Sequence, residues 1–285
     1  MLTASHIDRV VQLALDEDAP WGDITSETFI PAGTRAAAVL SAREPGVLAG
    51  GDVFAAAFRL TSTDTEVTVH VADGERFSAG ETLATVSGPA RGLLRAERIG
   101  LNFCQRLSGI ATVTSAFVAA VDGTGVRIAD TRKTTPGLRA LERHAVRCGG
   151  GHNHRFSLSD AVMAKDNHLA VLTSRGMSVT KAIRAARARL GHTTTIEVEV
   201  DRIDQIEPVI AGGADIIMLD NFTLDELREG VTIVDGRAVV EASGNVTLET
   251  VRGIAETGVD VISSGALTHS IRSLDLGLDM IVDGV

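Results

Sequence analysis

Two adjacent cations, Arg132 and Lys133, lie in the stretch "DTRKTTPGLR" (130–139), just after the short apolar run "VRIA". The 285-residue chain has 37 acidic and 27 basic residues and a net charge of −10. Guanidinium groups bind carboxylates and phosphates in a fork geometry, and lysine adds a point charge. We therefore predict that this segment binds an anion, although the chain as a whole repels anions.

The basic character extends over residues 126–168, which hold eight Lys or Arg residues against four Asp or Glu residues, a net charge of +4. Three arginines four residues apart are typical of a solvated helix face. The remaining cations predict a ligand with several negative charges; they are Arg132, Lys133, Arg155 and Lys165. A metal site at His152 and His154 is disfavoured, because no carboxylate or cysteine stands close to them at ligand spacing.

The elements that position these cations alternate between strand and helix from residue 126 onward. Ser178 and the pair Thr223 and Glu226 mark helix starts, Gly258 marks a helix end, and Pro208 predicts a kink. This alternation predicts parallel βα units, and six or more of them favour a closed barrel. Six apolar runs are present, with no seventh or eighth placed: 126–130, 161–166, 195–201, 214–221, 238–245 and 259–267.

Each apolar run ends in polar or very small residues, and in a βα barrel all these ends open on one face. Glu199 and Asp220 are suited to Mg²⁺ or to sugar hydroxyls, and Glu197 lies on the same strand face as Glu199, one pleat deeper. The turns Ser243-Gly244-Asn245 and Ser264-Gly265-Ala266 are suited to a phosphate, because glycine lets backbone N–H groups approach an anion. We call these strand-end residues, together with the cations above, the ring. The ring predicts three ligands: a phosphorylated sugar, a small polyanion and a divalent cation.

Residues 1–125 follow a different pattern, with β-like runs such as "AAAVLSA" and "ETLATVS", Gly-rich turns and a long helix from about Leu93 to Val121. This pattern predicts an α+β domain with an antiparallel sheet. The N-terminus has no apolar signal segment, and no apolar run is long enough for a membrane span, so we expect a cytoplasmic protein that does not bind membranes. The acidic pI of about 5.3 argues against nucleic-acid binding. Cys104 and Cys148 are interpreted as thiols without a chemical role.

Long, specific sequence blocks run through most of the chain. In order they are "DTRKTTPGLR", "GGGHNHRFSLSDAVMAKDNH", "EVEVD", "IIMLDNF", "EASGN" and "GVDVISSGALTHS", with "LLRAERIGLNFCQRLSGIAT" in the N-terminal half. Together these blocks closely resemble the quinolinate phosphoribosyltransferases. The resemblance implies an N-terminal α/β sandwich domain (1–110), an incomplete, seven-stranded α/β barrel (111–267) and a tail (268–285) that packs on the first domain. It implies phosphoribosyl transfer from phosphoribosyl pyrophosphate to quinolinate with loss of CO₂, giving nicotinate mononucleotide for NAD synthesis.

The resemblance also implies a role for each residue of the ring. Arg132, Lys133, His154, Arg155 and Lys165, beside Thr131, would bind the two quinolinate carboxylates. Arg98 would reach that pocket from the neighbouring subunit of a homodimer. Glu199 and Asp220 would meet the ribose and Mg²⁺, and the two glycine turns would bind the 5-phosphate. Lys133, Lys165, Glu199 and Asp220 are the implied catalytic residues.

Three alternatives stay open at this point. A paralogue associated with molybdenum transport shares the implied fold. A Schiff-base aldolase would place its lysine at a barrel strand end, where Lys165 lies. A non-catalytic sugar-phosphate binding protein would keep the glycine turns without needing Glu199 and Asp220.

Overall fold

The chain forms two compact units in a computed structural model that describes residues 2–174 and 176–281. The first unit consists of Met1–Ser115, Thr134–Gly150 and Leu267–Val285. The second consists of Ala116–Lys133 and Gly151–Ala266. None of the helices in the described ranges is both long and apolar enough to cross a membrane.

The first 120 residues hold helices and antiparallel strands in an irregular order. In chain order these elements are α1 (Ala4–Asp18), α2 (Ile24–Phe29), β1 (Arg35–Ala42), β2 (Gly46–Val47), α3 (Gly51–Thr61), β3 (Glu66–Val69), β4 (Arg76–Phe77), β5 (Thr82–Pro89) and α4 (Ala90–Ala120).

The remaining elements follow the predicted strand–helix rhythm. They are β6 (Arg127–Ala129), α5 (Arg139–Cys148), β7 (Val162–Ala164), α6 (Asp166–Thr173), α7 (Val179–Arg187), β8 (Ile196–Val200), a 3₁₀ turn (Ile203–Gln205), α8 (Ile206–Gly212), β9 (Ile216–Asp220), α9 (Leu224–Val234), β10 (Val239–Ser243), α10 (Val251–Ala255), β11 (Val261–Ser263), α11 (Ala266–His269) and β12 (Leu276–Ile281).

The first unit is built on an antiparallel sheet with strand order β12-β1-β5-β3. Side chains of β1 alternate between buried and more exposed positions, as expected for a strand with one face on a core. The amphipathic helix α1 buries Ile7, Val11 and Leu15. The predicted antiparallel sheet is therefore confirmed, and its edge strand β12 comes from the end of the chain and pairs with β1.

The second unit is built on a six-stranded parallel sheet with strand order β6-β11-β10-β9-β8-β7. Each of the six predicted apolar runs contains one of these strands. The strands bury aliphatic side chains such as Ile128, Val198, Ile217 and Ile262, which makes the sheet the core of this unit. All six strands run in one direction, so their carboxyl ends lie at one edge.

Helix termini in the second unit follow the predicted signals in two places and differ from them in two others. Ser178 caps α7, and Thr223 with Glu226 forms the capping box of α9. Helix α10 ends at Ala255, three residues before Gly258, which takes a left-handed φ of 93°. The predicted kink at Pro208 is wrong: Pro208 lies in the first turn of α8, where the missing N–H would have no acceptor within the helix.

Candidate active site

The carboxyl edge of the parallel sheet brings the predicted ring residues of the second unit together. Glu199 lies near the end of β8, and Asp220 ends β9 beside it. Ser243 ends β10 and is paired in register with Asp220. Lys165 follows β7, and Ser264, after β11, donates its backbone N–H to the Ala129 carbonyl at 3.0 Å. Strand pairing thus fixes the positions of residues far apart in sequence.

An ion pair joins two of these strand ends. The Lys165 Nζ contacts the Glu199 Oε2, and the Glu199 side chain is only 14% exposed whereas that of Lys165 is 44% exposed. The Lys165 backbone N–H donates to the His168 Nδ1 at 3.2 Å, which holds the start of α6 against this strand end. The pair places an ammonium group and a carboxylate side by side, facing solvent on the lysine side.

The loops after β9 and β10 are joined through Asn221. Its Nδ2 donates to the Asp220 Oδ2 at 2.7 Å, and its backbone N–H donates to the Ser243 carbonyl at 2.9 Å. Asn245 Nδ2 donates to the Asn221 Oδ1 at 3.2 Å. Gly244 has a φ of 97°, and a Cβ there would lie 2.2 Å from the Asn221 Oδ1. Glycine is therefore required for this close approach.

The turn after β11 is almost completely buried at Ser264, which is 5% exposed. Its Oγ donates to the Val246 carbonyl at 3.3 Å and accepts the Ala266 N–H at 3.3 Å. These bonds tie the Ser264–Ala266 turn to the loop after β10. The two predicted phosphate turns are therefore neighbours in the second unit.

A buried cluster of one histidine and two carboxylates is built on Glu197 and Glu241, which lie inside β8 and β10, two residues before Glu199 and Ser243. The His154 Nε2 is 3.1 Å from the Glu197 Oε2 and 3.5 Å from the Glu241 Oε1, and the two glutamates are 2% and 3% exposed. Asp130, which is fully buried, accepts the His154 N–H at 2.7 Å. The sequence places Asp130 at a predicted strand end but assigns it no role, and Glu241 is not predicted; the signal available for Glu241 was a carboxylate within the apolar run "AVVEASGN".

Burial controls the proton affinity of this cluster. It raises the pKa of Glu197, with repulsion from Glu241 adding to the effect and the hydrogen bond with His154 opposing it. Burial acts to lower the pKa of His154, but Glu197 and Glu241 outweigh it and raise that pKa. A second ring proton would displace the Arg155 N–H, which donates to the His154 Nδ1 at 2.7 Å. The raised pKa favours a second ring proton, whereas the bond from the Arg155 N–H to Nδ1 opposes one. The geometry therefore favours a ring with one proton, on Nε2, facing the carboxylates.

Comparison with known proteins shows the family to which this chain belongs. Residues 23–108 match the family model described as quinolinate phosphoribosyl transferase, N-terminal domain, and residues 110–279 match the C-terminal domain of the same family. The nicotinate-nucleotide pyrophosphorylase [carboxylating] of Mycobacterium leprae is 46% identical over 276 residues, which cover 95% of each chain. The chain belongs to the quinolinate phosphoribosyltransferase family. The probable nicotinate-nucleotide pyrophosphorylase of Bacillus subtilis is 43% identical and covers 93% of this chain and 90% of its own.

Solved structures agree with this membership. The crystal structure of NadC from Streptococcus pyogenes superposes with a TM-score of 0.94 at 41% identity and covers 99% of each chain. The α/β fold of this chain, with a six-stranded parallel sheet and a separate antiparallel sheet, is thus shared with that solved structure.

The predicted acceptor cations of the second unit differ in exposure. Arg132 and Lys133 are exposed, and the Lys133 N–H donates to the Thr131 Oγ1 at 3.1 Å. Arg155 is half-buried, and its Nη1 donates to the Ala161 carbonyl at 2.9 Å. Burial and repulsion from Arg132 lower the pKa of Arg155. Arg132 and Arg155 are therefore close enough to repel each other, as expected of a pocket built for an anion.

Arg98 is the predicted site residue that lies in the first unit. It is exposed on α4, within the sequence block "RAERIG". The carboxylates Glu199 and Asp220 are the candidate cation ligands at the ends of neighbouring strands, since carboxylate oxygens are the ligands that Mg²⁺ prefers.

Proposed function

We propose that this chain transfers the phosphoribosyl group of phosphoribosyl pyrophosphate to quinolinate and releases CO₂ and pyrophosphate, giving nicotinate mononucleotide for NAD synthesis. The observation that carries the proposal is the match along almost the whole chain to relatives named for this activity. The ring of cations and carboxylates at the carboxyl edge of the parallel sheet supports it independently, because both substrates are polyanions.

The acceptor pocket of the proposal is the cationic side of the ring. Arg132, Lys133, Arg155 and Lys165 would hold the two carboxylates of quinolinate with its ring nitrogen directed at the sugar. Thr131 would fix the backbone that carries Lys133, since its Oγ1 accepts the Lys133 N–H. His154 would complete the pocket.

The sugar side of the proposal uses Glu199 and Asp220. Their oxygen donors suit Mg²⁺, and because only two carboxylates are involved, the remaining ligands would be water and substrate oxygens. When bound, Mg²⁺ would neutralise the charge of the departing pyrophosphate. Both carboxylates would also stabilise the positive charge that develops on the ribose as pyrophosphate leaves.

The 5-phosphate of the donor would occupy the turns Ser243-Gly244-Asn245 and Ser264-Gly265-Ala266. Support comes from the left-handed φ of Gly244 and from the hydrogen bonds that join the two turns through Ser264 and Val246. Backbone N–H groups in such turns bind phosphate without requiring a cation.

Decarboxylation follows glycosidic bond formation in this proposal. The pyridine nitrogen is then cationic and stabilises the electron pair left on the adjacent carbon when CO₂ leaves, and that carbon takes up a proton from solvent. Lys133 and Lys165 would hold the two quinolinate carboxylates during both steps, so that the carboxylate lost as CO₂ departs from a defined position.

We further propose a homodimer in which Arg98 of one subunit completes the acceptor pocket of the other, with residues 1–110 and 111–267 as the functional domains. We propose that the sheet of the second unit is an incomplete, seven-stranded barrel. Support comes from His152, which forms a single parallel bridge to Ala129, on the side of edge strand β6 that faces away from β11.

The direct test combines the purified protein with quinolinate, phosphoribosyl pyrophosphate and Mg²⁺ and measures nicotinate mononucleotide and pyrophosphate by chromatography. We expect both products in equal amounts, and a strongly reduced yield with Arg155→Ala. Binding of phosphoribosyl pyrophosphate without product would contradict the proposal and would favour a sugar-phosphate binding protein.

A further inference from the structure

The segment Asn153–Arg155 is held by hydrogen bonds within the protein, and none of them requires a bound substrate. The two oxygens of buried Asp130 accept the Asn153 Nδ2 at 2.6 Å and the His154 backbone N–H at 2.7 Å. The His154 Nδ1 accepts the Arg155 backbone N–H at 2.7 Å. The backbone immediately before the Arg155 side chain is thus bonded to the ring of His154.

Two strands hold that ring in place. Glu197 on β8 and Glu241 on β10 both direct a carboxylate oxygen at the His154 Nε2, at 3.1 and 3.5 Å. Because Nδ1 accepts a backbone N–H, this geometry puts a ring proton on Nε2, which donates to Glu197 and faces Glu241 at an ion-pair distance. A metal ion would need the opposite tautomer, so this geometry favours a hydrogen-bonded cluster.

The cost of this arrangement implies a use for it. Burying two carboxylates beside each other is unfavourable unless both are hydrogen-bonded. Among the described residues, the Glu241 Oε1 has no hydrogen-bond partner, and its contact is the ion-pair distance of 3.5 Å to His154. A core selected for stability alone would carry apolar residues at these two strand positions.

We infer that Glu197 and Glu241 are positioning residues, which fix the His154 ring and through it set the position of Arg155 in the acceptor pocket. Position matters here because Arg132 repels Arg155, while Glu197 attracts it. Without a fixed backbone, this repulsion would move Arg155 away from the acceptor carboxylates. The inference rests on the proposed role of Arg155 in binding quinolinate.

The test is steady-state kinetics on two substitutions of Glu241. Glu241→Met keeps the side-chain volume but removes the carboxylate that faces the His154 Nε2 at 3.5 Å. We expect the KM for quinolinate to rise about tenfold or more, the scale of the hydrogen bond that a displaced Arg155 would lose to the quinolinate carboxylate. The KM for phosphoribosyl pyrophosphate should stay within about twofold, since the sugar side is untouched. Glu241→Gln keeps an oxygen acceptor and should restore the quinolinate KM to near wild type.

Three controls separate the possible failures. Exposed Glu229→Met should leave both KM values unchanged. Arg155→Ala is measured in parallel, and if it leaves the quinolinate KM unchanged, the proposed pocket is wrong rather than the positioning role. The double variant His154→Ala/Glu241→Met should be no worse than His154→Ala alone, because both substitutions act through one ring.

The positioning role is overturned if Glu241→Met leaves the quinolinate KM unchanged or raises both KM values equally. It is also overturned if the effects of His154→Ala and Glu241→Met multiply, or if Glu241→Gln fails to restore binding. Should Glu241→Met fail to fold in thermal melts, Glu197→Gln and Glu241→Gln decide the question. Each of these two single variants should retain quinolinate binding, and a loss of binding in both of them would overturn the role.

Discussion

Glu199 and Asp220 end neighbouring strands, yet their partners differ. Glu199 contacts the Lys165 ammonium, whereas Asp220 accepts a hydrogen bond from the Asn221 side chain. In the proposed site both carboxylates face a sugar or cation bound above the sheet edge, and Glu199 marks the boundary with the acceptor cations through its contact with Lys165. The division of the ring into a sugar side and an acceptor side makes a kinetic prediction.

Replacing either carboxylate should affect turnover rather than acceptor binding. We expect Glu199→Ala and Asp220→Ala each to lower kcat about 10²-fold, the scale for removing one group that stabilises developing charge. The KM for quinolinate should change little. Steady-state kinetics with each substrate varied in turn measures both quantities, and a collapse of quinolinate affinity at unchanged kcat would show that the division is wrong.

Sequence reasoning at the residue scale found groups that follow an apolar run and missed those whose partners are distant. Lys165, Glu199 and Asp220 were predicted because polar residues at strand ends are recognisable without knowing the register. Glu241 stands inside a strand and faces His154, 87 positions earlier in the chain. Such a contact depends on strand order, which no local pattern specifies.

At the scale of elements, the loops after β9 and β10 depend on a single glycine. Alanine at position 244 would strain a left-handed backbone and would force a Cβ against Asn221, at 2.2 Å from its Oδ1 and 2.8 Å from its backbone N. Because Asn221 bonds Asp220, the strain would reach the sugar side of the site. We expect Gly244→Ala to raise the KM for phosphoribosyl pyrophosphate about tenfold or more, measured by initial rates.

Gly213→Ala is the matched control for this prediction. Gly213 also has a left-handed φ, 87°, but nothing lies within 4 Å of its added Cβ. Both variants carry the backbone penalty of about 1 kcal/mol, and only Gly244→Ala displaces Asn221. Equal kinetic effects of the two substitutions would refute the role of the interlocked loops.

In the first unit, an ion pair connects α5 to the start of α3. Asp73 accepts the backbone N–H groups of Gly50 and Gly51 and contacts the His144 Nε2 at 2.6 Å. Burial acts to raise the pKa of Asp73, but the bonds from His144 and the glycines lower it. The hydrogen bond to Asp73, aided by Cys148, raises the pKa of His144 to about 10.

These shifts predict a pH window for stability. The Asp73 contribution is present above its unfolded value of 3.8 and is lost as pH falls below that value. The His144 contribution is complete below its unfolded value of 6.5 and is lost as pH rises toward about 10. Thermal melts should therefore show the largest loss of Tm for His144→Gln between these two values, with exposed His192→Gln as control. A loss of Tm that grows from pH 7 to pH 10 would contradict the pairing.

Element boundaries show where periodicity is a good guide and where it is not. The six apolar runs each contain a strand because buried parallel strands are apolar on both faces. The kink predicted at Pro208 is wrong because proline kinks a helix only in its interior, whereas the first turn of a helix accepts it without a kink. The 3₁₀ turn at Ile203–Gln205 moves the start of α8 to Ile206, and this start places Pro208 in the first turn rather than in the helix interior.

At the scale of the whole molecule, sheet closure and subunit assembly lie beyond local patterns. The sequence predicted six strands and their common direction, but closure depends on what covers the two edge strands, β6 and β7. A single bridge at His152 is too short to produce an apolar run. The role of Arg98 likewise depends on a second copy of the chain, which makes it a question for experiments on mixed subunits.

Arg98→Ala and Lys165→Ala subunits, each expected to be nearly inactive alone, test the shared site. In a mixed dimer with Arg98 acting across the interface, one site carries both lesions and the other carries neither. Random mixing makes half of the dimers mixed, each with one intact site of two, so activity should return to about a quarter of wild type. If Arg98 acts within its own subunit, mixing restores nothing, provided that subunit exchange is shown separately.

The most direct test of the proposed activity offers the enzyme two acceptors at once. Quinolinate carrying a labelled 2-carboxyl group and unlabelled nicotinate are supplied in equal amounts with phosphoribosyl pyrophosphate and Mg²⁺, and labelled CO₂ and pyrophosphate are counted. Several cations around one pocket suit a dicarboxylate, because a monocarboxylate would leave part of the repulsion between like charges, such as Arg132 and Arg155, uncompensated. The account predicts one labelled CO₂ for every pyrophosphate released. Pyrophosphate released in clear excess over CO₂, with nicotinate consumed at a comparable rate, would contradict it.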